Sequence, residues 1–154
     1  MAHEGIEKAR ENQAIAYSSA SLTALAEAQL AAGQLDDGLN SIEQALAHSD
    51  ATGERIWRPE TLRIKGQLLS ARNETGADEE CFRAALLEAA EMSALSFELR
   101  AAIDLAKVLC EGDRLSEAHE ILKGVLARFT EGFETADFLA AQSLLSSSKL
   151  TAAK

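Results

Sequence analysis

Side chains of similar size recur along this chain at intervals of forty residues. The aromatic residues Tyr17, Trp57 and Phe97 show the spacing most clearly, because only 5% of the sequence is aromatic. Further sets with the same spacing are Ala26, Gly66 and Ala106; Gly38, Asp78 and Ala118; Ile42, Phe82 and Leu122; Ala45, Ala85 and Val125; and Leu46, Leu86 and Leu126. A fixed period of this length indicates an array of similar units, each of which packs against its neighbours.

Each unit is predicted to be a pair of α-helices. Apolar residues fall at steps of three and four, as in Leu122, Val125 and Leu126, and the scarcity of aromatic residues disfavours a sheet. The predicted helices cover residues 14–32, 35–49, 55–71, 77–92, 95–111 and 115–129, and the hairpins cover residues 14–50, 54–92 and 95–130. The expected fold is all-α, an α-solenoid of helix hairpins with about seven to eight helices.

Small residues mark the predicted contacts between paired helices. At Ala26, Gly66 and Ala106, a larger side chain would hold the two helices apart. Asp78 occupies one of the small-residue positions, so either the middle hairpin packs differently there or its register shifts to Ala77. The turn glycines, at which a left-handed backbone is expected after a helix, are Gly33, Gly53, Gly76 and Gly112.

The two ends of the chain depart from the complete repeat. Subtracting forty from Ala45 and Leu46 gives Gly5 and Ile6, so residues 1–12 are predicted to be a partial leading helix, the second half of a hairpin. Either the chain is a segment of a longer protein, or Ile6 belongs to an apolar edge that a second subunit covers in a homodimer. Residues 134–146 are predicted to form a capping helix that completes one domain over residues 1–149, and residues 147–154 a flexible tail.

Charge and cysteine content narrow the expected partners and compartment. The net charge of −10 disfavours nucleic acid, whose binding depends on neutralising phosphate, and it disfavours anionic membrane surfaces. No apolar run is long enough to span a bilayer, and the charged residues 1–10 do not resemble a signal peptide. Cys81 and Cys110 lie in apolar helical patterns and are expected to be reduced, as in the cytoplasm.

No group of residues has the spacing of a metal or catalytic site. His3, His48 and His119 are far apart in the sequence, so no metal site is expected, and His119 is predicted to lie at a surface or interface. The acidic residues within 74–80 lack the alternation of a calcium loop and suit the positive end of a helix instead. Nucleophile motifs and phosphate-binding loops are missing. We therefore expect no cofactor and no catalysis, and an enzyme with an unrecognised site remains the alternative.

The first helix of each hairpin is expected to line the concave face of the stack, where its exposed residues form a candidate partner-binding site. The residues of this site are Glu27, Glu60, Arg63, Gln67, Arg100 and Lys107. The cations would make the strip mildly basic and suited to a carboxylate or an acidic segment of another protein. The alternative is a solvated face on which Glu60 and Glu111 pair with the cations.

The repeat resembles the tetratricopeptide repeat. That family has an aromatic residue and a Leu-Gly or Leu-Ala pair on the first helix, and Ala, an apolar residue and Ala on the second. The matching residues are Leu25-Ala26, Lys65-Gly66 and Leu105-Ala106 on first helices, and Gly38, Ile42 and Ala45, then Asp78, Phe82 and Ala85, then Ala118, Leu122 and Val125 on second helices. Lys65 departs from the pattern, and the unit is about six residues longer than usual, so longer helices are expected.

A narrower likeness covers nearly the whole chain. Residues 52–55, 60–66, 98–102 and 129–138 resemble the C-terminal helical repeats of bacterial adenylate and guanylate cyclases and of large ATP-binding signalling regulators. This likeness implies a non-catalytic protein–protein interaction and regulatory scaffold within a larger signalling protein. A homo-oligomerisation module that uses the N-terminal edge at Ile6 is the alternative from a different class.

Overall fold

A computed structural model describes residues 18–147 of the chain. The helices in this part are α1 (Ser19–Ala31), α2 (Leu35–Thr52), α3 (Arg58–Ala71), α4 (Ala77–Glu91), α5 (Leu95–Glu111), α6 (Leu115–Leu126) and α7 (Ala136–Leu145). No strand occurs within residues 18–147, so the all-α prediction is confirmed for them. The predicted leading helix at 1–12, with Ile6, and the predicted tail from residue 148 onward lie outside the described residues.

The predicted helix boundaries agree with the structure to within five residues. The largest difference is at α1, which begins at Ser19 after its N-cap Ser18 and not at residue 14, and residues 14–17 of that prediction lie outside the described residues. The start of α3 differs as well. This helix begins at Arg58 and not at residue 55. Gly53 ends α2 with a φ of 76°, and the amide of Arg58 donates a hydrogen bond to the carbonyl of Arg55, which closes a turn before α3. Pro59 then lies in the first turn of α3, where its missing N–H leaves no helical hydrogen bond unmade.

Consecutive helices pack against one another throughout the described chain. The hairpin pairs α1–α2, α3–α4 and α5–α6 are joined by turns of three, five and three residues. We call α1, α3, α5 and α7 the first helices, and α2, α4 and α6 the second helices. Each first helix also packs against the next one, so that α1 contacts α3, α3 contacts α5 and α5 contacts α7, whereas the backbones of neighbouring second helices do not approach each other as closely.

The turns inside the hairpins repeat one backbone conformation every forty residues. Gly33, Asn73 and Asp113 each lie two residues beyond a first helix and have φ values of 74°, 60° and 56°. The prediction that Gly112 is left-handed is wrong, because its φ is −86° and Asp113 has the left-handed conformation instead. Asp and Asn tolerate this conformation because their short polar side chains form local hydrogen bonds. Two further left-handed residues, also forty apart, are Gly53 and Ser93.

Two glycines allow neighbouring helices to approach closely. A Cβ atom on Gly38 of α2 would lie 2.6 Å from Leu68 Cδ2 of α3, and one on Gly66 of α3 would lie 2.5 Å from Phe82 Cε1 of α4. Both distances are too short for a methyl group. Leu68 and Phe82 are almost fully buried, so core side chains occupy the space beside both glycines.

Asp78 is accommodated in the middle hairpin without a change of register. It is 4% exposed, and Ala77 beside it is exposed, so the predicted alternative of a shift to Ala77 is wrong. The hydroxyl of Ser70 on α3 donates to Asp78 Oδ2 at 2.7 Å. The amides of Gly76 and Glu79 donate to Oδ1 at 2.9 and 2.8 Å. These donors compensate for the burial of a carboxylate between two helices.

Two glycine-to-alanine substitutions are expected to change stability in opposite directions. Gly124→Ala on α6 meets no atom within 4 Å, so it should raise the free energy of unfolding by up to about 1 kcal/mol through helix propensity. Gly66→Ala gains the same propensity but crowds Phe82, so it should lower that free energy by about 1 kcal/mol. Urea denaturation of both variants measures the difference, and a shift of the same sign in both would contradict the packing described above.

Candidate binding face on the first helices

Five of the six residues predicted for the partner-binding site lie together in the structure. Glu60, Arg63 and Gln67 come from α3, and Arg100 and Lys107 come from α5, which packs directly against it. The sixth, Glu27 on α1, is exposed and makes no hydrogen bond or ion pair with these five residues.

Arg63 is the centre of the group. Its Nη2 and Nε donate to the two carboxylate oxygens of Glu60 at 2.7 and 3.0 Å, and its Nη1 donates to Asp104 Oδ2 at 2.8 Å. All three side chains are at most 10% exposed. Burial alone lowers the pKa of Arg63, but the hydrogen bonds and charges of Glu60 and then Asp104 outweigh it, so the pKa is raised above its ordinary value. The guanidinium therefore stays charged and holds α3 to α5.

The ion pairs continue from Arg63 along α5 and onto α7. Asp104 also accepts hydrogen bonds from Gln67 Nε2 at 2.7 Å and from Lys107 Nζ at 3.2 Å. Arg100 donates from Nε to Asp137 Oδ2 at 2.7 Å and from Nη1 to Glu60 Oε1 at 3.4 Å. The hydrogen bond to Asp137, followed by burial in the opposite direction and by the nearby carboxylates, raises the pKa of Arg100.

A hydroxyl pair extends the same line to α1. The Oγ1 atoms of Thr23 on α1 and Thr61 on α3 are 2.7 Å apart, and both side chains are buried. Hydrogen bonds between side chains therefore connect all four first helices in order. We call this set the polar seam; its residues are Thr23, Glu60, Thr61, Arg63, Gln67, Arg100, Asp104, Lys107 and Asp137.

The polar seam is electrically balanced, so the predicted basic character of the strip is wrong. Three cations, Arg63, Arg100 and Lys107, face three carboxylates. The prediction missed two of those carboxylates, Asp104 and Asp137, and Glu111, which was offered as a partner, makes no ion pair among the described residues. The sequence did contain one signal for Asp104. This residue lies three positions before Lys107, at a repeat position that is otherwise apolar.

The exposed side chains of the seam are Lys107, Arg100 and Asp137, which are 59%, 41% and 39% exposed. Gln67 is half-buried. A groove of about 390 Å³ runs beside Lys107 and is lined by Gln67, Ser70, Asn73, Phe82, Asp104, Lys107, Val108 and Glu111. A second cavity of about 640 Å³ lies beside Arg100, between α5 and the start of α7. The guanidinium of Arg63 is already paired with Glu60 and Asp104.

The second helices carry a separate ion-pair cluster. Arg83 on α4 pairs with Glu79 on the same helix and with Glu117 on α6, and Arg114 pairs with both acids. Hydrogen bonds from Arg83 and then Arg114 lower the pKa of the Glu117 carboxyl. The Arg83 side chain is 40% exposed, which matches Arg100 on the first helices and makes it a suitable control for substitutions there.

Cys81 and Cys110 are half-buried and are not joined by a disulfide, and the histidine of α6 is in the core. His119 is 6% exposed, with Nδ1 3.3 Å from Glu120 Oε1, so the prediction of a surface position is wrong. Burial raises the pKa of the Cys81 thiol above its ordinary value, with Lys65 acting in the opposite direction and Glu80 adding to the increase.

The thiol of Cys81 is expected to react slowly with iodoacetamide at neutral pH. Because its pKa is raised, less thiolate is present at a given pH, and the rate in a Cys110→Ser variant should be at least about fivefold below that of the urea-unfolded variant. The native rate should keep rising at pH values where an ordinary thiol has reached its plateau. Mass spectrometry of timed samples measures both rates, and equal rates in the folded and unfolded chain would contradict the expectation.

The described residues contain neither a metal cluster nor a membrane-spanning helix. Between residues 18 and 147, no three or more His, Cys, Asp or Glu side chains are placed to hold a metal ion. In the same part of the chain, no helix is both long and apolar enough to cross a bilayer. Comparisons with protein-family models, with curated proteins and with solved structures find no match to this chain.

Proposed function

We propose that this chain is a tetratricopeptide-like α-solenoid that acts as a non-catalytic protein-binding scaffold. The observation that carries the proposal is the unbroken row of first helices, which contact one another in chain order. The backbones of neighbouring second helices do not approach each other as closely, which supports a stack that is wider on their side and that curves with the first helices on its inner face. Curved stacks of hairpins use such an inner face to bind segments of other proteins.

The polar seam supports the proposal because it holds exposed groups in fixed positions. Asp104 and Asp137 anchor the cationic ends of Lys107 and Arg100 while leaving both side chains partly exposed. Side chains that are already held lose less conformational entropy when a partner binds. The Nε2 atom of Gln67 is also fixed by Asp104, which leaves its carbonyl oxygen available to accept a peptide N–H.

The partner proposed from this chemistry is a polypeptide segment with a carboxylate placed to reach Lys107 or Arg100. Because the seam is balanced, it offers local hydrogen bonds and not a broad positive field. Binding should therefore depend on salt only modestly. The further assignment, to the regulatory segment of a larger cytoplasmic signalling protein, is proposed from the resemblance to cyclase-associated and ATPase-associated repeats.

Peptides selected from a random display library on the folded chain are expected to need Arg100 for binding. Arg100→Glu should weaken the selected peptides by about tenfold or more, because it removes a charge-assisted donor and adds a repelling carboxylate. Arg83→Glu is the matched control, since the two arginines are 41% and 40% exposed and each pairs with acids. Isothermal titration calorimetry measures both affinities.

Several outcomes of this selection would count against the proposal. The first helices would be ruled out as the binding face if the library yielded no peptide. The same conclusion would follow if the selected peptides bound Arg83→Glu as poorly as Arg100→Glu. Arg63 is unsuitable as the test residue, because it is buried and its substitution changes stability as well as binding. Circular dichroism of both glutamate variants checks that the helices remain folded.

Homo-oligomerisation is the second candidate, and the exposed face of α1 favours it. Leu25 is 48% exposed at the N-terminal end of the described stack. A second copy of the chain that covered this leucine would bury apolar surface on both subunits. Under this alternative, Leu25→Asp converts a dimer to a monomer in sedimentation equilibrium, while a monomeric parent chain rules the alternative out.

A further inference from the structure

α1 is the only first helix that no preceding second helix covers within the described residues. α2 packs on α3, and α4 packs on α5. Ile64 and Leu68 on α3, which cluster with Ile42 of α2, are fully buried. The residues forty positions earlier, Ala24 and Ala28 on α1, are exposed.

Leucines at one repeat position show the same difference. Leu25 on α1 is 48% exposed, whereas Leu105 on α5 is fully buried. The two residues are eighty apart, twice the repeat spacing, and occupy equivalent places on their helices. α5 has a second helix on each side, α4 and α6, while α1 has only α2 among the described helices. The face made by Ala24, Leu25 and Ala28, which we call the α1 face, is therefore an exposed apolar surface at the place where α3 and α5 each pack against the preceding second helix.

The sequence before α1 carries the pattern of the helix that this face would accept. Three of the positions that are buried in both second helices, α2 and α4, are Ile42 and Phe82, Ala45 and Ala85, and Ser49 and Ala89. Forty residues before the first member of each pair are Ala2, Gly5 and Ala9, which are all small or apolar. Ile6 corresponds to Leu46, which packs against the cluster that α2 forms with its neighbours, α1 and α3.

The polar side of the segment also corresponds to that of α2. Glu43, Gln44 and Asp50 on α2 are exposed, and the residues forty positions earlier are His3, Glu4 and Arg10. The connection is long enough as well. Five residues separate position 12 from Ser18, the N-cap of α1, and five residues separate Thr52 at the end of α2 from Arg58 at the start of α3.

We propose that the α1 face is the docking site for residues 1–12 of the same chain, bound as α2 is bound on α3. An isolated helix of about twelve residues is marginal in water, so this segment depends on the α1 face for its order. The docked segment covers Leu25, so the α1 face is no longer available to a second copy of the chain. The inference is independent of what the polar seam binds.

Cross-linking distinguishes the possible occupants of the α1 face. The variant carries Ala2→Cys and Ala28→Cys, with Cys81→Ser and Cys110→Ser, and is treated with a short bismaleimide. The expected product is a cross-link within one chain, at the mass of the monomer. A cross-link between two chains would assign the face to a second copy, and no cross-link would leave it unoccupied; either result overturns the proposal. Ala2→Cys with Gln44→Cys, on an exposed position of α2, is the control that should not react.

Hydrogen exchange provides a second measurement that does not need new cysteines. Ile6→Asp places a charge on the side of the segment that meets α1, so the amides of α1 should exchange at least about tenfold faster than in the parent chain. His3→Asp puts the same charge on the exposed side and should leave them unchanged. The amides of α5 serve as the internal reference for global stability. Equal exchange of α1 in both variants, with α5 unchanged, would rule out docking by this segment.

Discussion

Arg63→Ala is expected to lower the free energy of unfolding by about 3–5 kcal/mol, because it leaves the charges of Glu60 and Asp104 buried without their main partner. Both carboxylates are at most 10% exposed, so water cannot replace the guanidinium. This loss is a large part of the roughly 5–15 kcal/mol that stabilises a typical domain. Urea denaturation followed by circular dichroism measures it.

Arg83→Ala is the matched control for this prediction. Arg83 also joins two acids on two helices, Glu79 and Glu117, but its side chain is 40% exposed. Exposed ion pairs contribute about 0–1 kcal/mol, so the loss should fall in that range. Similar losses in the two variants would mean that burial of the Arg63 group has no energetic consequence.

Removing the charges together is expected to recover much of the loss. Arg63→Met combined with Glu60→Gln and Asp104→Asn keeps similar side-chain volumes and leaves no uncompensated buried charge at these positions. Replacement of whole buried ion pairs is often close to neutral, so this triple variant should be more stable than Arg63→Ala by about 2 kcal/mol or more. If it is not, the cost lies in lost packing of the arginine stem.

The second large effect is expected at the contact between Phe82 and Gly66. Phe82→Ala should lower the free energy of unfolding by about 3–5 kcal/mol by leaving a cavity in the core. Gly66→Leu should lower it by about 3 kcal/mol, because a side chain there enters the space of the Phe82 ring. The double variant should lose about 1–3 kcal/mol less than the sum, since the leucine fills the volume that the ring leaves.

Gly124→Leu is the control for this double-variant cycle. A Cβ atom on Gly124 would have no neighbouring atom within 4 Å, so its substitution should be independent of Phe82. The effects of Gly124→Leu and Phe82→Ala should therefore add to within about 0.5 kcal/mol. Additivity in the Gly66 pair as well would contradict the close approach of residue 66 to the ring, where a Cβ atom would lie 2.5 Å from Cε1.

The polar seam has a consequence for the choice of binding experiments. Arg63 was predicted to contact a partner, but in the structure it holds α3 to α5 and is 8% exposed. A loss of binding in an Arg63 variant would therefore mix two effects, the loss of a contact and the loss of the geometry of the face. Arg100 and Lys107 separate the two, because they are exposed at the edge of the same network.

The local structure of the chain was predictable from its sequence. Helix positions follow from apolar residues at steps of three and four, and the hairpin turns follow from glycines such as Gly33, because both signals lie within a few neighbouring residues. The turn at Asp113 shows the limit of what these local signals predict. The sequence contains a glycine one residue earlier, and only the exact end of α5 decides which of the two becomes left-handed.

Sequence patterns were sufficient to establish that this chain is helical, where its helices lie and which residues share a first-helix row. The packing of the helices was needed to show that Arg63 pairs with Asp104, that the seam is neutral, and that Glu27 makes no ion pair with it. Arg63 and Asp104 are forty-one residues apart. Whether such residues meet depends on the offset and rotation of two packed helices, which no local pattern in either helix specifies.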